Sequence, residues 1–325
     1  MAGKRPKKRK YEEENTMQSQ KDTIWRIGSR ESALAVAQTR LVMEQLQQLY
    51  PERKLELVTF RTMGDKILSK PLTEIGGKGL FVRELDEALM EGRIDLAVHS
   101  LKDVPMEENP KLPLLAFPKR GDARDVLVFS KKAAQKAEQE LGLCVGTSSQ
   151  RRSLQIQKTH PKAQIRSVRG NIQTRLRKLD EGEFDVLILA AAGLLRCGFA
   201  DRISRYLEPE EMLPAAGQGI LAVQGRADFP RGLLEALNDE NTMLAARAER
   251  AFVRELGGGC TSPVAAYAVI EGEELYLRGL YVPEENEETK EPSFWVEEMR
   301  ASRWEAEQAG VLLAKRMRES KKCNE

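Results

Sequence analysis

Few side chains in this sequence are equipped for chemistry, and their types narrow it at once. The four cysteines, Cys144, Cys197, Cys260 and Cys323, stand far apart without a CxxC pair, so neither a disulfide framework nor a zinc knuckle is indicated. His99 and His160 are the only imidazoles, which argues against histidine-rich metal sites and serine–histidine catalysis. Carboxylates, cationic groups and one unusually placed thiol remain. Cys260 follows three glycines in Leu256-Gly257-Gly258-Gly259-Cys260-Thr261-Ser262-Pro263, so no bulky residue on its N-terminal side screens the sulfur. Two readings stand side by side: the glycines end a helix and the cysteine is a small buried residue behind them, or they leave room for something attached to the thiol.

Seven arginines, Arg151, Arg152, Arg166, Arg169, Arg175, Arg177 and Arg196, crowd one stretch, several of them at strand-to-helix junctions. Guanidinium forks suit bidentate capture of carboxylates or phosphates. Any one of them is as well explained by a surface ion pair, but the set points to a polyanion site. No GxxxxGK[ST] loop is present, so a substrate bearing several carboxylates fits better than a nucleotide. Asp103, in His99-Ser100-Leu101-Lys102-Asp103-Val104-Pro105, is the candidate acid/base group, with a helix cap or an ion pair to Lys102 as the plain alternative. His99 reads as a hydrogen-bonded buried residue.

The elements that position these residues alternate strand and helix. A strand over residues 24–27 runs through Gly28-Ser29-Arg30-Glu31-Ser32 into an amphipathic helix over 33–50, with Leu34, Ala37, Leu41 and Leu49 on one face. Arg30 and Ser32 sit at its N-terminal mouth, where unpaired amides favour an anion. Strands at 55–60 and 94–98, a glycine-rich loop over 64–79 and a helix over 80–91 complete a first α/β unit, and Ser100, Lys102 and Asp103 lie just past a strand end. A mostly parallel sheet is expected, with ligands beyond the carboxyl ends of its strands. After a strand at 114–117, residues 119–123 cross into a second α/β unit. It has strands at 125–129, 143–145, 164–168 and 186–190 and helices at 150–158 and 172–180. Residues 213–219 return to the first lobe, with 220–224 as an added strand. A helix over 241–256, strands at 264–269, 274–281 and 293–301, and a helix over 305–318 make a small α+β unit.

Composition adds bounds. The 325 residues suffice for two or three domains; 41% are hydrophobic and 31% charged, an ordinary soluble composition, with a formal net charge of +2. No apolar run reaches the roughly 18 residues of a membrane helix and no signal-peptide core follows the start, so a cytoplasmic protein is expected. Residues 1–23 open with Lys4-Arg5-Pro6-Lys7-Lys8-Arg9-Lys10 and read as a disordered, solvated tail rather than a nucleic-acid arm.

Together these stretches resemble the hydroxymethylbilane synthase (porphobilinogen deaminase) family. The resemblance runs through Gly28-Ser29-Arg30-Glu31-Ser32-Ala33-Leu34-Ala35, Gly76-Gly77-Lys78-Gly79-Leu80-Phe81, Val98 to Pro105, Gly146-Thr147-Ser148-Ser149-Gln150-Arg151-Arg152, Arg169-Gly170-Asn171, Pro214-Ala215-Ala216-Gly217-Gln218-Gly219 and Gly258-Gly259-Cys260. It implies two periplasmic-binding-protein-like α/β lobes around a cleft plus a smaller α+β C-terminal domain that carries the cofactor. The expected boundaries are a tail at 1–23, domain 1 at 24–119 with 218–238, domain 2 at 120–217 and domain 3 at 239–325.

The resemblance also implies the activity: four porphobilinogen molecules joined head to tail with release of ammonia, giving the linear tetrapyrrole hydroxymethylbilane. The primer is a dipyrromethane cofactor held by a thioether to Cys260. Asp103 matches the catalytic aspartate, and no metal is implied. Lys102, Asp103, Ser100, Thr147, Ser149, Arg151, Arg152, Arg169 and Gly170 correspond to cofactor-binding positions. Arg30, Ser32, Gln38, Lys78, Arg169, Arg175, Arg196 and Gln218 correspond to substrate-binding ones. A monomer that passes its product to uroporphyrinogen-III synthase, without nucleic-acid or membrane partners, is the implied setting. Ala33 and Gly257 depart from residues common in the family. The rival class is a non-catalytic two-lobed module that captures a polycarboxylate.

Overall fold

The computed structural model describes residues 24–62, 82–134, 142–258, 263–282 and 294–322. In the first lobe β1 (Trp25–Arg30), α1 (Ala33–Leu49), β2 (Leu55–Phe60), α2 (Arg83–Met90), β3 (Leu96–Ser100) and β4 (Leu114–Ala116) follow one another. The second lobe contains β5 (Asp125–Phe129), α3 (Lys131–Ala134), β6 (Cys144–Gly146), α4 (Gln150–Thr159), β7 (Gln164–Arg166), α5 (Ile172–Asp180), β8 (Val186–Ala190), α6 (Ala191–Arg196) and β9 (Arg205–Leu207). The chain then returns as β10 (Leu221–Gly225) and continues into α7 (Glu240–Glu255), β11 (Ala265–Glu271), β12 (Glu274–Tyr281), β13 (Trp295–Ser302) and α8 (Ala306–Lys322).

Two five-stranded sheets, β2-β1-β3-β10-β4 and β7-β6-β8-β5-β9, share one plan. Each has three parallel strands from consecutive strand–helix units, then an antiparallel strand beside the third. Four of the five strands in each sheet run the same way, so each is mostly parallel as expected, and the one reversed strand belongs to the chain as it crosses between lobes: β5 on the way out, β10 on the way back. The return strand, expected as an addition to the first lobe, joins its sheet between β3 and β4. Where the two crossing segments touch, the Gly121 amide donates to the Gly219 carbonyl at 3.1 Å. Gly219 has φ +86, and a β-carbon on it would lie 2.6 Å from the Gly121 oxygen, so only glycine lets the crossings meet.

The apolar face expected on the first helix, Leu34, Ala37, Leu41 and Leu49, is not the one the helix buries. Leu41 and Leu49 are exposed, and α1 buries Ala35, Gln38, Thr39, Val42 and Leu46. Two polar residues on the buried stripe disguise its period, and each finds an internal partner: Thr39 donates to the Ala35 carbonyl at 3.0 Å, and Gln38 accepts from Ser100. The strand expected at 164–168 stops at Arg166, because the Val168 amide and carbonyl turn to the Ser148 hydroxyl. That expected at 94–98 starts at Leu96, after the Asp95 amide bonds the Arg26 carbonyl and the Asp95 carboxylate accepts from the Arg26 backbone and side chain.

The C-terminal unit is an antiparallel sheet, β11-β12-β13, packed against α7 and α8. Phe252, Leu277, Leu313 and Met317 are fully buried in its core, each contributing about 1.5–3 kcal/mol by removal from water. α7 ends where Gly257, at φ +68, sends its amide to the Arg254 carbonyl and Gly258 sends its own to Val253. This is the paired closure that glycine after a helix permits, and Gly257 and Gly258 end the helix in this way; Gly259 and Cys260 lie outside the described residues.

His99 on β3 is buried, with Nε2 2.9 Å from Gln224 Oε1. The Gln224 amide nitrogen donates to the Leu112 carbonyl, so its oxygen must accept and His99 is protonated at Nε2. Burial lowers its pKa from 6.5 to about 4, against the pull of the Gln224 bond and with the charge of Arg30 acting in the same direction as burial. Between those values the unfolded chain binds a proton that the folded chain refuses, so stability falls as pH drops from 6.5 to 4, by up to about 3 kcal/mol. Urea unfolding at pH 7 and pH 4.5 is expected to show this loss in the wild type and less of it in His99→Gln; equal pH dependence in the two proteins would rule His99 out as its source.

Candidate active site

β3 runs out at Ser100, and Leu101–Asp103 form a single 3-10 turn closed by the Val104 amide on the Leu101 carbonyl at 3.0 Å. Leu101 is fully buried and pins the turn, leaving Lys102 and Asp103 partly exposed beyond the strand end. Ser100 donates to Gln38 at 3.0 Å, joining this end to α1. Arg30 closes β1, and Ser32 caps α1, accepting from the Ala35 amide at 3.3 Å. From the third unit, Arg250 of α7 donates to the carbonyls of Val104, Pro105 and Met106 at 3.3, 2.7 and 3.4 Å. The segment after Asp103 is thus held by the helix that ends just before Cys260. Glu255, the last helical residue, comes five residues after Arg250, about 7.5 Å of helical rise.

The opposing wall comes from the second lobe. Thr147, at the end of β6, is buried and accepts from the Ser149 amide at 3.2 Å; Ser149 begins α4, which carries Arg151 and Arg152 on its first turn. Both arginines are buried. Arg151 Nη1 donates to Asp125 Oδ2 at 2.7 Å and to the Leu213 carbonyl at 2.8 Å. Arg152 Nη2 donates to Asp125 Oδ1 at 2.7 Å and its Nη1 to the Ile188 carbonyl at 3.0 Å. The Nε of Arg152 is buried with no hydrogen-bond partner. Arg169 and Gly170 precede α5, whose Arg175 Nε donates to the Gly170 carbonyl at 2.8 Å. Arg196 ends α6 and donates from Nη2 to the Gly219 carbonyl at 2.7 Å, which commits one nitrogen to the crossing.

Electrostatics place the two walls in one another's field. Burial pushes the Lys102 ammonium down to about 8; Asp103 and Asp125 oppose the shift, while Arg152 and Arg151 add to it. Burial pushes Arg175 down to about 10, reinforced by Arg152 and Arg169 and resisted by Asp103. Arg196 is lowered to about 10 by burial. Gln218, buried in the returning segment, joins the lobes: its amide nitrogen donates to the Ala123 carbonyl at 2.7 Å and to Asp125 Oδ1 at 2.9 Å, and its oxygen accepts from Lys102 at 3.4 Å.

Most of the expected site residues are therefore arrayed at the strand ends, around the lobe crossing and on the first turns of their helices. Cys260 and Lys78 lie outside the described residues. Two members of the arginine set belong elsewhere: Arg177 pairs with Glu181 on the exposed side of α5, and Arg166 on the edge strand donates to the Glu183 carbonyl and the Cys144 sulfur. Asp125 was missed. Burial alone would raise its carboxyl, but the two guanidiniums outweigh this and hold it well below the usual carboxylate range. Its only sequence signal is a carboxylate opening an otherwise apolar strand, Asp-Val-Leu-Val-Phe. Removing one partner from a buried charge cluster of this kind costs about 3–5 kcal/mol.

Among the described residues no helix is long and apolar enough to cross a membrane. A family profile described as "Porphobilinogen deaminase, dipyromethane cofactor binding domain" matches residues 25–231, and one described as "Porphobilinogen deaminase, C-terminal domain" matches 243–319. A porphobilinogen deaminase of Ruminiclostridium cellulolyticum is 47% identical over 90% of this chain and 97% of its own. One from Chromobacterium violaceum is 50% identical over 78% of this chain and 82% of its own. Among solved structures, the periplasmic VFT2 domain of BvgS from Bordetella pertussis is 15% identical, with a TM-score of 0.38, covering 69% of this chain and 88% of its own. The aliphatic sulphonate binding protein SsuA from Escherichia coli is 16% identical, also with a TM-score of 0.38, over 71% and 70%. Both profiles and relatives at this identity span nearly all of the folded chain, and on that ground the protein belongs to the porphobilinogen deaminase family.

Proposed function

We propose that the protein is a hydroxymethylbilane synthase, a transferase that condenses four porphobilinogen molecules onto a dipyrromethane primer thioether-linked to Cys260. The observation that carries this reading is Asp103, a partly exposed carboxylate on the turn past β3, set against a cationic wall of the other lobe to which Gln218 links its neighbour Lys102. The donor set fits the cofactor. Each pyrrole ring bears an acetate and a propionate, and Arg152 keeps a buried Nε without a partner beside the cleft cations. Ser100, Lys102, Thr147, Ser149, Arg151, Arg152, Arg169 and Gly170 would hold the primer with Asp103. Arg30, Ser32, Gln38, Lys78, Arg175, Arg196 and Gln218, again with Arg169, would receive the incoming substrate. The cofactor, once bound, supplies a nucleophilic pyrrole α-carbon.

Asp103 acts on the incoming porphobilinogen. The bond from the aminomethyl carbon to the protonated nitrogen breaks, ammonia leaves with the electron pair, and the positive charge spreads into the pyrrole as an azafulvenium cation. A carboxylate facing the pyrrole N–H stabilises that charge where it develops. Asp103 would also take up the proton that the ring gaining the new carbon–carbon bond gives up as its aromaticity returns. The cationic wall meanwhile holds the substrate carboxylates so that the reacting carbons stay in register.

We read the three sheets as domains bounded at 24–119 with 218–238, 120–217 and 239–325, in a cytoplasmic monomer whose product goes to uroporphyrinogen-III synthase. The test is stoichiometric: with porphobilinogen as sole substrate, four molecules consumed and four ammonia released per linear tetrapyrrole are expected. Binding without ammonia release would favour the polycarboxylate-binding module instead.

A further inference from the structure

We propose that Asp125 is a positioning residue for the anion-binding wall: its carboxylate clamps Arg151 and Arg152 side by side before any ligand arrives, and through Gln218 ties that pair to the Lys102–Asp103 turn of the opposite lobe. This rests on the functional reading above and adds a residue that touches neither substrate nor cofactor.

Asp125 is fully buried, and each of its oxygens receives a guanidinium nitrogen at 2.7 Å, with the Gln218 amide adding a third donor at 2.9 Å. Two adjacent guanidiniums repel one another. Asp125 supplies a carboxylate permanently at the rear, reducing the pair from two positive charges to one. It fixes the direction of both forks, leaving nitrogens such as the buried, unpartnered Nε of Arg152 uncommitted. A wall oriented in advance spares the ligand the cost of ordering it. Asp125 also opens β5, the first strand after the crossing, and shares Gln218 with Lys102 at 3.4 Å. The same carboxylate therefore sets the guanidinium pair relative to the lobe that carries Asp103.

The experiment compares wild type, Asp125→Asn and Asp125→Ala, each prepared without cofactor and then incubated with porphobilinogen. Intact mass gives the fraction of chains that gain two pyrrole units, and kinetics of the loaded fraction give KM and kcat. Asp125→Asn is expected to load at least tenfold more slowly, and its loaded fraction to show KM raised about tenfold with kcat within threefold of wild type. Formate, small enough to replace the missing carboxylate between the guanidiniums, is expected to restore loading and KM in Asp125→Ala. Wild-type loading and KM in Asp125→Asn, or a fall in kcat alone, would overturn the proposal. Failure of both variants to fold even with formate would assign Asp125 to the fold alone and overturn it equally. If wild type itself gains no mass and releases no ammonia, the functional reading fails, an outcome distinct from the loss of Asp125's role.

Discussion

Asp103→Ala is expected to lower kcat by roughly 10³-fold, about 4 kcal/mol of transition-state stabilisation, while the protein remains folded. The size follows from the surroundings. The side chain is partly exposed, so its removal leaves no cavity in a core, and the buried Leu101 together with the Arg250 clamp on the following carbonyls keeps the turn in place. What is lost is the one carboxylate that Lys102 and Arg175 both sense from within the cationic site. Steady-state kinetics beside thermal unfolding check this: a wild-type kcat in Asp103→Ala would remove Asp103 from the mechanism.

Cys260→Ser is the second large effect. A hydroxyl is a far weaker nucleophile than a thiolate toward a pyrrolylmethyl carbon, so the variant is expected to acquire no primer and to show no turnover above background. Porphobilinogen consumption with purified Cys260→Ser, at concentrations that saturate the wild type, makes the comparison. Substantial turnover would mean that the growing chain needs no tether at that sulfur.

The architecture was largely legible because strand and helix periods announce themselves locally. The pairing of sheets was less so. A mostly parallel order was expected and is found, but which strand reverses was not legible: β5 and β10 run antiparallel because each enters its sheet from the other lobe, a long-range fact that no local pattern records. On α1, Gln38 and Thr39 concealed the buried stripe, since polar residues satisfied inside a protein look, in one dimension, like residues meant for water. The candidate site could be read as a grouping of cations and Asp103, because these residue types cluster at strand ends. Asp125 was not, since a lone strand-opening acid has no spacing to betray that its partners sit on the next helix but one, beyond β6. The seven arginines also looked more uniform than they are: Arg177 pairs at the surface, Arg166 serves an edge strand, and Arg196 gives one nitrogen to the crossing.

Tethering of a carboxylate-rich primer to one thiol is the claim on which the other roles depend, and the mass of the purified wild-type protein tests it most directly. A mass exceeding that of the polypeptide by two pyrrole units, mapped by peptide fragmentation to Cys260, is the predicted result. A fully active protein of unmodified mass, or the same addition on Cys144, Cys197 or Cys323, would contradict it.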